Sequence, residues 1–134
     1  MSSENSLNNI FYISMNVVLE IHKRQLAEFG GADGIRNKDG LISAVESPKV
    51  TFGGEDLYKT VFEKAAAYAY HIAESQCFVD GNKRVALDVA LTFLAINGHE
   101  IENESLDLYD AMIAIAEKQL DKAGLAELFK RLCS

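Results

Sequence analysis

Phe78-Val79-Asp80-Gly81-Asn82-Lys83-Arg84 runs directly into the apolar stretch Val85-Ala86-Leu87-Asp88-Val89-Ala90-Leu91-Thr92-Phe93-Leu94. This junction decides the fold. The spacing predicts a helix opening at Asn82 and running to Asn97, with Gly98 as its left-handed stop. Because it is apolar on nearly every side, such a helix belongs at the centre of a bundle. Its first turn is anomalous, since Lys83 and Arg84 place two cations at the positive end of the helix dipole. The misfit is relieved if an anion sits there, held by backbone N–H groups and by the two side chains. Asp80 could then hold a divalent cation bridging phosphates. Gly81, Asn82, Lys83 and Arg84 are the candidate phosphate-binding residues. Taken alone, Asp80-Gly81 reads first as a plain turn pair, and Asn82 could be an ordinary N-cap.

Working outward, the pattern is helical almost throughout. Residues 1–9 are polar and are expected to fray, leaving 10–134 as a single domain. Ser14 is placed to cap a helix that turns Val18, Ile21, Leu26 and Phe29 inward and stops at Gly30-Gly31. A short helix over Asn37–Ser47 is expected to end at Pro48, the only proline. Lys49 to Glu55, with Gly53 and Gly54, reads as an exposed loop or small hairpin. A long helix is predicted from Asp56 to Ser75, with Val61, Ala65, Tyr68 and Ile72 on one face. Ser105 should cap a helix that buries Leu108, Met112, Ile115 and Ala116, and Asp121 should begin a last helix ending near Leu132. The expected class is all-α.

Composition narrows the function classes. The chain has 134 residues, 49% of them hydrophobic, enough for one core. A formal net charge of -7 argues against general electrostatic binding to nucleic acid and suits a basic partner. Cys77 and Cys133 are too few for a disulfide framework or a zinc site. No apolar run approaches the roughly 18 residues of a membrane span, and no signal peptide is visible. A reduced, cytoplasmic setting is the expectation.

Several segments, in order, resemble the death-on-curing (Doc) branch of the Fic/Doc family. They are Glu20-Ile21-His22 with Phe29-Gly30-Gly31, Gly34-Ile35-Arg36 through Gly40-Leu41-Ile42-Ser43-Ala44, Asp56-Leu57-Tyr58 with Ala65-Ala66-Ala67-Tyr68, and Leu91-Thr92-Phe93-Leu94 with Asn97-Gly98. Phe78 to Arg84 is similar to the core of the family signature, His-x-Phe-x-(Asp/Glu)-(Gly/Ala)-Asn-Lys-Arg. The resemblance implies a compact helical bundle built around the signature loop and its central buried helix. It also implies transfer of a phosphorus-containing group from a nucleotide to a protein hydroxyl. Fic enzymes carry Gly-Asn-Gly-Arg and transfer AMP. The Asn82-Lys83-Arg84 found here sides with Doc, which uses ATP and Mg²⁺ to phosphorylate elongation factor Tu. Leu87, where Fic enzymes carry a second arginine, points the same way. Doc is a toxin silenced by an antitoxin protein whose disordered tail folds on it.

The departure lies at the catalytic position. The signature His aligns with Gln76, followed by Cys77. A general base there is worth about 10²–10⁴ in rate, and glutamine cannot take a proton near neutral pH. The catalytic set implied by the resemblance is Gln76, Asp80, Lys83 and Arg84, with Asp80 on the metal. Two function classes stay open: a Doc-like phosphotransferase impaired by Gln76, and a binding module that keeps the anion site without chemistry. An AMP-transferring enzyme is a third.

The remaining residues read more plainly. His71 lies five residues before Gln76, about 140° away around a helix, and is poorly placed to replace the base. His22 reads as structural and Phe78 as a core anchor. Tyr68 and Tyr70 read as core and rim packing. Cys77 lies near a helix N-terminus and two cations, conditions that lower a thiol pKa, but it lacks a base and reads as a packed small residue.

Overall fold

A computed structural model describes residues 9–101 and 106–133. Among these are six helices, one short 3₁₀ turn and one small hairpin. They run α1 (Met15–Phe29), α2 (Lys38–Glu46), the 3₁₀ turn Ser47–Lys49, β1 (Thr51–Phe52), β2 (Glu55–Asp56), α3 (Val61–Ser75), α4 (Asn82–Ile96), α5 (Leu106–Ala116) and α6 (Lys122–Leu132). The all-α class expected from the sequence holds. The expected fraying of residues 1–9 and the Ser105 cap fall wholly or largely outside the described residues.

The helix ends follow local chemistry. The Ser14 side chain accepts from the Val17 N–H, Asn37 from Gly40 and Asp121 from Gly124, each satisfying a first-turn N–H that has no helical partner. The long helix begins at Val61 rather than Asp56. Thr60 and Glu63 form a reciprocal capping box there, while residues 51–56 are taken up by the antiparallel hairpin pairing Thr51 with Asp56 and Phe52 with Glu55. Pro48 lies within the 3₁₀ turn, whose opening tolerates a residue without an N–H, so it follows the end of α2.

The heaviest packing joins α3 to α4, and the other helices wrap this pair. Val85, Ala86, Val89, Ala90, Phe93 and Leu94 on α4 are fully buried, so the helix is central as its composition demands. Burying a large apolar side chain of this kind contributes about 1.5–3 kcal/mol. Tyr68, on α3, is buried against Phe93, and its hydroxyl accepts from the Ile13 N–H at 2.8 Å. Burial pushes that phenol up to about 12, partly offset by its hydrogen bond to Ile13. Asn97 clasps both backbone groups of Phe11. The segment before α1 is therefore strapped across the central helix pair. Two residues expected inside are outside: Phe29 is exposed, and so is Ala116 at the end of α5.

Candidate active site

The signature loop is assembled from its backbone upward. Gln76 ends α3 in a left-handed conformation, φ 46° and ψ 50°. The chain then turns inward, so that Cys77 and Phe78 are fully buried. Asn82 closes the loop by accepting from the Phe78 N–H and donating to the Phe78 carbonyl, both at 2.9 Å. Its amide is thereby committed to holding the loop. The N-cap of α4 is Gly81 rather than Asn82; at φ +86° that position favours glycine.

The α1–α2 connection is stitched to the same loop. Ile35 bridges Phe78, the Cys77 carbonyl accepts from Arg36 N at 2.7 Å and Asn37 N at 3.1 Å, and the Val79 N–H donates to the Gly34 carbonyl. Beneath the loop, His22 stacks on Phe78 with ring centroids 3.9 Å apart. Its Nε2–H donates to the Asp80 carbonyl at 3.0 Å, consistent with the structural role expected of it. The Asp80 carboxylate accepts from the Ala32 N–H at 2.8 Å. Every turn of this loop is held by a named hydrogen bond or by burial, so the start of α4 is presented in a fixed geometry.

Above the loop lies a cleft of about 450 Å³. Gln76, Asp80, Gly81, Asn82, Lys83 and Arg84, all candidates from the sequence, line it together. The cleft also recruits Arg36, Glu74, Tyr109 and Lys118, which the sequence did not single out as site residues. Arg36 arrives through the stitched connection, and its Nη1 donates to Gln76 Oε1 at 3.1 Å. Tyr109 and the exposed Phe29 flank the Arg84 guanidinium, with ring centroids at 5.3 and 4.4 Å. Each such contact is worth about 0.5–1 kcal/mol at an exposed site, and together they aim a side chain with many rotamers. Lys118 is committed to Glu74, which raises its pKa.

Among the described residues, Arg36, Lys83 and Arg84 have no carboxylate at ion-pairing distance. Three cations without an ion-pair partner among the described residues thus share one cleft in an acidic chain. No histidine lines it. His71 faces elsewhere, its Nε2 3.1 Å from Lys122 Nζ, and burial followed by the Lys122 charge holds its pKa below the usual imidazole value. Burial pushes the Cys77 thiol up, against the opposing hydrogen bonds of Ser75 and the local backbone, and the fully buried side chain packs in the core, as its sequence reading has it.

The sequence model of the Fic/DOC family matches residues 12–94, which span α1 through most of α4. The chain belongs to the Fic/Doc family. Two curated relatives place it on the Doc branch. A protein named Toxin Doc from Mycolicibacterium smegmatis is 42% identical over 100 residues, covering 73% of this chain and 77% of that protein. Protein kinase doc from Escherichia phage P1 is 26% identical over 121 residues, covering 90% of this chain and 94% of that protein. In this Fic/Doc chain the region matched by the family model ends at residue 94, so three cleft-lining residues, Tyr109, Ala116 and Lys118, lie beyond it.

Among the described residues no three His, Cys, Asp or Glu side chains gather as a metal cage. Asp80 Oδ2 is engaged by Ala32, while Oδ1 has no hydrogen-bond partner among them. One carboxylate oxygen, completed by nucleotide phosphates and water, is a set that Mg²⁺ commonly takes. The residues fit a shared metal and do not fit one held by protein alone. No described helix is long and apolar enough to cross a membrane.

Proposed function

We propose that this chain is a Doc-type toxin: a nucleotide-dependent phosphotransferase directed at a protein hydroxyl, impaired by Gln76. The observation that carries the reading is the trio Arg36, Lys83 and Arg84, none within ion-pairing distance of a described carboxylate, gathered in the cleft at the N-terminus of α4. In this reading ATP is the phosphate donor. Lys83 and Arg84 grip its phosphates, and the α4 N–H groups add their dipoles. Asp80 would hold Mg²⁺, which would supply positive charge against the negative charge that develops during transfer. The acceptor, by resemblance, is a threonine of elongation factor Tu. The regulator is an antitoxin with a disordered tail that folds on binding, and the setting is the cytoplasm.

What the site lacks is a base. Positioning and electrostatics supply much of phosphoryl transfer, so the loss of a base predicts slow chemistry at an intact binding site. This also favours a second reading, a binding module that retains the nucleotide site without turnover. Titration calorimetry with ATP–Mg²⁺ is expected to show binding that collapses in Arg84→Ala. Incubation with labelled ATP and elongation factor Tu should give phosphotransfer only after Gln76→His. Robust transfer by the unaltered chain would overturn the impairment, and AMP transfer by Gln76→His would overturn the kinase assignment. Gln76→His that binds ATP and transfers nothing would support the binding module.

A further inference from the structure

We infer that Gln76 is a hydrogen-bond donor to the phosphate oxygens of a bound polyphosphate, with Arg36 as the positioning residue that makes it one. This rests on the anion-site reading above and assigns position 76 a role in place of the missing base.

The argument begins with donor chemistry. A guanidinium has only donors, so the Gln76 atom 3.1 Å from Arg36 Nη1 must be the amide oxygen. The amide orientation follows from that constraint. Its Nε2, carrying two N–H groups, has no partner among the described residues and belongs to a side chain lining the cleft. A charge-assisted hydrogen bond onto the oxygen also polarises the amide and strengthens its N–H donors.

Arg36 is not free to wander from this task. The Ile35–Phe78 bridge and the Arg36 N–H to Cys77 carbonyl bond at 2.7 Å fix its backbone one residue from Gln76. No described carboxylate competes for its guanidinium. Gln76 itself occupies a left-handed helix end, where glycine or asparagine would be more comfortable. The result is a pair of donor-bearing side chains lining the same cleft as Lys83 and Arg84: together they can grip phosphate oxygens, and none of the four is a base.

The test uses the full chain, with tripolyphosphate and ATP–Mg²⁺ as separate probes in titration calorimetry. Gln76→Ala should weaken both about tenfold, the usual scale for a hydrogen bond to a charged group. Gln76→Glu is nearly isosteric and can still accept from Arg36, so it keeps the fold while turning an acceptor toward the phosphates. It should bind both probes at least tenfold more weakly than Gln76→Ala, with an unchanged melting temperature. In the Arg36→Ala, Gln76→Ala double variant the loss should be smaller than the product of the single losses, because one residue acts through the other.

Gln76→Glu binding as well as Gln76→Ala would overturn the donor role, and strictly multiplicative losses would overturn the positioning role. Losses confined to ATP would place Gln76 against the nucleoside and also overturn the inference. Wild type that binds neither probe overturns the anion site and this inference together. Wild type that binds both, with Gln76 variants unchanged, overturns this inference alone.

Discussion

The two irregular connections flanking α3 are built in opposite ways. Residues 76–81 turn inward: Cys77 and Phe78 are fully buried, and the backbone groups around them find partners in Asn82, Arg36, Asn37, Gly34 and His22. Residues 51–56 turn outward as a hairpin of two-residue strands, exposed along their whole length, with Phe52 83% exposed at the tip. The hairpin is held chiefly at its base, where the buried Lys64 ammonium reaches Asp56 Oδ2 at 3.0 Å and the Tyr58 carbonyl. A loop whose polar backbone is satisfied internally has one geometry, as an anion site requires. A hairpin whose side chains touch little is free to be shaped by what it meets.

That contrast can be broken most forcefully at Phe78. Phe78→Ala empties a fully buried aromatic site beneath the loop and is expected to cost about 3–5 kcal/mol in chemical denaturation; a loss below about 1 kcal/mol would mean the loop does not depend on its buried anchor. Asn82→Ala strips partners from both backbone groups of Phe78, and about 2 kcal/mol should go with them. The same variant should weaken ATP–Mg²⁺ binding although the Asn82 amide faces the loop. Unchanged affinity would show that the cleft tolerates a slack loop.

On the hairpin side the effects shrink. Gly53, at φ +62° with open space where a Cβ would point, should lose about 1 kcal/mol as Gly53→Ala, from backbone strain without a clash. Phe52→Ser should leave stability within about 0.5 kcal/mol of wild type. A larger loss in thermal denaturation would show that the hairpin is packed in a way its exposure denies.

Much of this architecture was legible because its causes are local. Ser14 and Asp121 cap helices through their own side chains, and Gly98 stops one, as short-range chemistry predicts. The burial of α4 followed from an apolar composition that no solvent-facing helix could carry. The start of α3 was misplaced by five residues because Asp56 and Thr60 are both plausible N-caps. Pairing of Asp56 with Thr51 settled the choice in favour of Thr60. Phe29 looked like a core residue from its spacing, yet its ring lies outside against Arg84, a contact with no counterpart in helical periodicity.

Residue types and short-range patterns fix the helical class, the central helix, the two adjacent cations Lys83 and Arg84 in its first turn, and the absence of a base at position 76. These follow from side-chain chemistry and from contacts within a few residues. What surrounds that first turn is a matter of tertiary structure. Arg36 meets Gln76 across 40 positions of sequence, and Phe29 and Tyr109 converge on Arg84 from separate helices. Such contacts are set by how whole helices pack around α3 and α4, and no window of sequence contains both partners.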